Sequence, residues 1–105
     1  DAPYYEINGG DWSFTDVRDL SFYKMRLEYI NFEGADFTGC CMDHAKITAC
    51  NLRHARFGNT SMVSTDVRES DLSGSNLPGL ILRKTKIDLQ QAVLLAESLG
   101  ACYEP

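Results

Sequence analysis

Large apolar side chains recur at every fifth residue of this chain. The stretch "ADFTGCCMDHAKITACNLRHARF" (35–57) places Phe37, Met42, Ile47, Leu52 and Phe57 at equal intervals. The same spacing runs from Trp12 to Ile87, and all sixteen positions are large and apolar. Ile7 extends the series by one. A helix face repeats near 3.6 residues and a strand face near 2, so neither element explains a period of five. A second track lies two residues earlier, from Gly10 to Thr85, and twelve of its sixteen residues are small. Asp or Asn precedes the large residue at 11, 16, 31, 36, 51, 66, 71 and 76.

Two inward residues spaced by two belong to one side of a short extended segment. The remaining residues of each unit must turn the chain. Repeated strand and turn winds the backbone into a solenoid whose coils bond to one another, about 4.8 Å apart. Leu20, Met25 and Ile30 place larger groups on the small track. They predict a wider or distorted early coil.

The units "ADFTG" (35–39), "SDLSG" (70–74) and "SNLPG" (75–79) resemble the pentapeptide-repeat family over residues 10–89. The resemblance implies an all-β fold, a right-handed quadrilateral β-helix with four units per coil. Sixteen units then make about four coils over 10–88. Positions twenty apart stack into ladders such as Trp12–Phe32–Leu52–Leu72 and Val17–Phe37–Phe57–Leu77.

The period ends near residue 88, where the chain reads "IDLQQAVLLAESLGACYEP". Asp88 followed three residues later by Gln91 has the form of a capping box. Leu89, Ala92, Val93, Leu95, Ala96 and Leu99 fall on one helical arc, with Gln90, Gln91, Glu97 and Ser98 opposite. Gly100 suits the position after a helix end. A short α-helix over 89–99 is therefore expected to cover the last coil. Leu94 falls among the polar residues, either as an exposed leucine or as a partner contact.

The segment "KIDLQQAVLLAESLG" (86–100) is similar to the C-terminal segment of the Qnr quinolone-resistance proteins, through Lys86, Asp88, Gln91, Ala92, Leu94, Leu95, Glu97, Leu99 and Gly100. That resemblance implies a symmetric homodimer through residues 89–105, with Leu94, Leu95, Leu99, Ala101, Cys102 and Tyr103 at the interface. Qnr proteins are longer and carry loops that interrupt the repeat, whereas this repeat is unbroken. The related loop-free Mfp-type proteins are closer in that respect. The shorter length and the first residue, Asp1, leave two readings open, a full-length chain or the C-terminal half of a longer protein. Residues 1–9, with Pro3 and Gly9-Gly10, form either a cap or a partial coil.

Composition narrows the chemistry. At 105 residues and 44% hydrophobic content, one folded domain is expected. No apolar run is long enough to span a membrane and no signal-peptide pattern opens the chain. A net charge of −5 with no basic stripe argues against direct nucleic-acid binding. Cys40, Cys41, Cys50 and Cys102 match no disulfide framework, which favours a reduced, cytoplasmic setting.

Cys40, Cys41, His44, Cys50 and His54 crowd together in sequence. Their spacing fits no zinc pattern, and the repeat sends Cys40 and Cys50 inward and the histidines to different outer corners. No metal or cofactor site is expected. No insertion builds a pocket for catalytic groups, so the chain reads as a non-enzyme.

Charge by side carries the functional expectation. The two sides built on Trp12 and Val17 hold Asp11, Asp16, Asp19, Glu33, Asp36 and Asp71 against Arg18, Arg53 and Arg56. The side built on Phe22 holds Asp43 against Lys24, Arg83 and Lys84. The Qnr and Mfp resemblance implies that such an acidic side imitates DNA and binds a type II topoisomerase, gyrase or topoisomerase IV. The alternative is a general protein-interaction scaffold, or a domain of a larger protein.

Overall fold

The computed structural model describes residues 5–105. Five three-residue strands and one helix occur in order: β1 Glu6–Asn8, β2 Arg26–Glu28, β3 Lys46–Thr48, β4 Ser61–Val63, β5 Ile81–Arg83 and α1 Leu89–Ser98. The strands pair in parallel as β1-β2-β3 and β4-β5. Every pairing joins residues twenty apart, as in Ile7↔Leu27, Leu27↔Ile47 and Met62↔Leu82. Isolated bridges carry the same offset along the other sides, through Asp11↔Asn31↔Asn51↔Asp71 and Asp16↔Asp36↔Arg56↔Asn76. The chain thus meets itself once per twenty-residue coil along four parallel ladders.

Each unit contributes the same backbone bonds. The residue before the large one donates its N–H to the coil above, as Asn31 does to the Gly10 carbonyl at 2.9 Å. The large residue donates to the coil below, as Phe32 does to Asn51 at 2.8 Å. The N–H three residues on closes a turn, as Ala35 does to the Phe32 carbonyl at 3.0 Å. This turn forces positive φ at the residue two after the large one, from Phe14 (55°) to Lys84 (53°). Side chains dislike that conformation, and the bonds on both sides of each turn hold it. Where Gly occupies the corner, the side chain one coil earlier uses the space. Phe14 lies over Gly34 and His54 over Gly74, where an added Cβ would sit 2.6 Å from the imidazole.

The interior is filled by the two inward tracks. Phe37 is the hub: its ring stacks on Phe57 at 5.4 Å and meets Phe32 and Phe22 edge-on at 5.1 and 6.1 Å. The small track adds polar cross-links. Thr60 Oγ1 donates to the Phe37 carbonyl at 2.7 Å and Thr65 Oγ1 to Met42 at 2.7 Å. Ser70 Oγ donates to Ile47 at 2.9 Å, and Cys40 Sγ contacts the Val17 carbonyl at 2.8 Å. Each bond spans 23 residues, so a buried hydroxyl or thiol ties one coil to the previous one. The polar atoms are thereby satisfied in the core.

The early coil is not distorted as Leu20, Met25 and Ile30 suggested. Its coil-to-coil bonds, Trp12 to Asn31 at 2.7 Å and Phe22 to Cys41 at 2.7 Å, match those elsewhere. Leu20 is 51% exposed, so its bulk displaces no neighbour among the described residues. Of the N-terminal stretch, residues 6–8 pair with β2 and Ile7 packs against the core. Residues 1–4 of the expected cap or partial coil lie outside the described residues.

The C-terminal helix forms with its capping box complete, Asp88 accepting from the Gln91 N–H and Gln91 accepting from the Asp88 N–H. Its buried face differs from the expected arc. Gln91 is 1% exposed and its amide donates to the carbonyls of Val67 and Ser70. Leu94 and Leu95 pack against the core, while Leu89 and Leu99 face solvent. In earlier coils the carbonyl equivalent to that of Ser70 accepts from the next coil, as Ile30 does from Asn51; here the Gln91 amide takes that place, which a leucine could not do. Leu82, an inward residue, stays 41% exposed, and all of β5 is exposed beside it.

Phe37→Ala removes the ring shared by three aromatic neighbours. It is expected to cost about 3–5 kcal/mol of stability, seen as a lower urea midpoint.

Candidate interaction surface

The acidic residues before each large apolar residue are held by their own turns. The Oδ1 of Asp11 accepts from the Ser13 N–H at 3.0 Å, and that of Asp16 from Arg18 at 3.0 Å. Asp36 accepts from Thr38 at 3.0 Å and Asp71 from Ser73 at 2.9 Å. Asn31 and Asn51 make the same bond to Glu33 and Arg53. This two-residue side-chain turn explains why Asp and Asn recur at that position. It also aims each carboxylate outward at a defined place.

These bonds favour the ionised form. The side-chain and backbone bonds from Arg18 lower the Asp16 carboxyl to about 2. Hydrogen bonds from Ser13, Thr38 and Ser73 lower Asp11, Asp36 and Asp71. Asp19 and Glu33 belong to the same two sides but take no such turn bond. Asp19 reaches over Gly39 on the next coil.

The acidic side is uneven. The ladder Asp16↔Asp36↔Arg56↔Asn76 changes sign halfway, and Arg53 lies in the same coil as Arg56. Arg18 forms a two-pronged pair with Asp16, with bonds of 2.8 Å to each carboxylate oxygen. Asp11, Asp16, Asp19, Glu33 and Asp36 therefore concentrate negative charge on the first two coils. Asp71 stands apart, near Arg53 and His54.

The Cys and His side chains that crowd together in sequence are dispersed by the repeat. Cys40 and Cys50 are buried, and desolvation raises their thiols. His44 meets Tyr23 edge-on at 5.6 Å. Among the described residues no cluster of His, Cys, Asp or Glu is placed to hold a metal ion. A cleft of about 370 Å³ is lined by Lys46, Thr48, Asp66, Arg68, Glu69 and Asp88. Its charges are largely occupied internally: Arg68 pairs with Asp66 at 2.8 Å, and Asp88 accepts from the Glu69 N–H at 2.8 Å.

The residues assigned to a dimer interface divide into two groups. Leu94 and Leu95 are turned to the chain's own core. Leu99, Ala101, Cys102 and Tyr103 are exposed, Leu99 to 89%. Among the described residues no helix is long and apolar enough to cross a membrane.

A family model described as pentapeptide repeats matches residues 19–53 and 50–88, in eight copies. No curated protein matches the chain by sequence. Among solved structures, the chain is similar to a trypsin-treated variant of QnrB1, a plasmid-mediated fluoroquinolone resistance protein. The identity is 23% and the TM-score 0.45, over 90% of this chain and 65% of that one. A pentapeptide repeat protein from the Arabidopsis thaliana thylakoid lumen is 21% identical, with a TM-score of 0.47, over 92% of this chain and 78% of that one. HetL from the cyanobacterium Nostoc is 16% identical, with a TM-score of 0.39, over 76% of this chain and 46% of that one. The chain spans just under two thirds of the length of the QnrB1 structure.

The bonded carboxylates set an acid limit on the fold. Their native pKa values lie below the unfolded ones, so their stabilisation is present above about pH 4 and is lost as pH falls toward 2. The urea midpoint is expected to drop across that window. In Asp36→Asn with Asp71→Asn, the amide oxygen keeps the turn bond, as at Asn31 and Asn51, and the drop should shrink.

Proposed function

Since the chain belongs to the pentapeptide-repeat family, we propose that it is a non-catalytic rod, a right-handed quadrilateral β-helix, that binds the basic DNA-binding surface of a type II topoisomerase. The observation carrying this reading is the set of carboxylates fixed outward on the first two coils by their own turns. Pre-set negative charge steers association with a basic surface and loses little freedom on binding. Asp11, Asp16, Asp19, Glu33 and Asp36 form the acidic footprint, with Asp71 as an outlying contact. The Qnr-like C-terminal segment supports the choice of a topoisomerase. The footprint binds protein and not nucleic acid, because its sign repels phosphates.

Purified gyrase provides the test. In a supercoiling assay, with and without a quinolone, the chain should inhibit the enzyme or protect it at micromolar concentration. Charge reversal by Asp19→Lys with Asp36→Lys should remove the effect. Absence of both inhibition and protection in the unaltered protein would sink the assignment.

We also propose a homodimer through the exposed residues of the C-terminal segment: Leu99, Ala101, Cys102 and Tyr103, with Leu94 and Leu95 supporting the helix from below. A symmetric contact would cover the apolar end of α1, which solvent otherwise meets. Leu99→Asp leaves the core untouched and should shift the sedimenting species from dimer to monomer. Leu94→Asp is the poorer probe, because that side chain packs inward.

A further inference from the structure

The twenty-residue coil gathers charges that are scattered in sequence. Corner residues of positive φ stack twenty apart, and two of these columns lie ten residues, half a coil, from each other. One is Phe14, Gly34, His54 and Gly74; the opposite one is Lys24, His44, Ser64 and Lys84. Beside the second column runs the ladder Arg26↔Lys46↔Asp66↔Lys86. Coil by coil its signs are plus, plus, minus, plus, and Lys24 and Lys84 reinforce the first and last. Arg26 and Asp66 hold ion pairs within their own side, and Glu69 keeps the third coil negative despite Arg68. Across the rod, Asp11, Asp16 and Asp19 outnumber Arg18 in the first coil. Glu33 and Asp36 follow in the second, Arg53 and Arg56 in the third, and Asp71 in the fourth. The signs there are minus, minus, plus, minus. The two edges are thus opposite in sign at every coil. Among the described residues, Glu33, Lys46, Arg53, Arg56 and Lys86 enter no ion pair.

We propose that these two edges dock against each other between copies of this chain, side by side, parallel and coil against coil. A copy displaced sideways without rotation presents its Glu33 and Asp36 to Lys46. Its Arg53 and Arg56 meet Asp66, and its Asp71 meets Lys84 and Lys86. The order of signs selects this register, because like charges set together oppose binding. A slip of one coil places Glu33 and Asp36 against Asp66, and both arginines against Lys84 and Lys86. The opposite slip places the arginines against Lys46 and Asp71 against Asp66. Turning the copy end over end again opposes Glu33 to Asp66 and the arginines to Lys46. A nucleic acid carries one sign throughout and would meet Asp66 and Glu69 partway along the basic edge. The smallest dimension of the molecule is 22 Å, well beyond the roughly 8 Å over which exposed charges act at physiological salt, so each edge acts on its own. The two edges differ, so the contact is head-to-tail and leaves a free edge at each side of a growing row. This inference rests on the charge order and depends neither on the topoisomerase assignment nor on the symmetric contact through Leu99.

Sedimentation of the whole chain over a range of concentrations tests this. In about 10 mM salt, species larger than a dimer should form reversibly, and about 1 M salt should disperse them. Glu33→Lys and Lys46→Glu should each weaken this association by about tenfold, and the two together should recover most of it. Glu33→Lys also reduces the net negative charge, so general repulsion between molecules predicts the opposite, a stronger association. Unchanged thermal melts would show that these exposed variants are folded. Leu99→Asp removes the symmetric contact and should leave row formation in place. Stronger association of Glu33→Lys, no recovery in the double variant, or species no larger than a dimer at low salt would overturn the proposal. Loss of all association in Leu99→Asp would do the same. So would binding of a single-stranded oligonucleotide that Lys46→Glu abolishes in a chain that does not self-associate, which assigns the basic edge to a polyanion.

Discussion

Parallel backbone bonding at an offset of twenty residues is the constraint on which the rest of this molecule depends. Strands of three residues are too short to persist alone. Each is held because the coils before and after it offer carbonyls and amides in the same register. That register stacks like on like, so a fault in one unit is transmitted along its ladder. It also explains how bulky residues such as Phe14 and Tyr29 survive at positive φ. The turn they occupy is determined from both sides, and the local penalty is met by bonds that no other conformation could make.

The same side chains serve structure and surface. Asp16 and Asp36 close their turns with one oxygen and present negative charge with the rest of the carboxylate. Asn at 31 and 51 closes the turn equally well without charge. The choice between Asp and Asn is therefore nearly free for folding near neutral pH and is decided by the surface. On the two sides built on Trp12 and Val17, Asp stands at 11, 16 and 36 and Asn at 31 in the first two coils, and the third carries Arg53 and Arg56. The result is a charge footprint densest on the first two coils, with Asp71 standing apart from it.

The two ends solve the same problem differently. At the C-terminal end, α1 lays Gln91 across the carbonyls of Val67 and Ser70 and seats Leu94 and Leu95 on the core. Toward the N-terminus, among the described residues, β1 adds part of a coil. Leu20, Met25 and Ile30, large residues where small ones are usual, bring bulk to that part of the interior; Ile30 is fully buried, and Leu20 remains open to solvent. End treatment is where a repeat must depart from its pattern, because the last unit has no neighbour to bond.

The period of five and the two inward tracks were legible from Trp12 to Ile87 in the sequence alone, because each inward position is enforced by burial. The offset of twenty appears in the backbone pairing, since the period alone does not say how many units complete a coil. The helix and its capping box were readable as well, because Asp88 and Gln91 act locally. The face of that helix was not. An amphipathic arc ranks residues by hydrophobicity, and here the covered surface includes the Val67 and Ser70 carbonyls, for which the Gln91 amide is the better match. The sequence determined which residues go inside and where the repeat stops. Only the tertiary structure decided which polar groups the ends leave unbonded, and so which side chains must cover them or remain exposed.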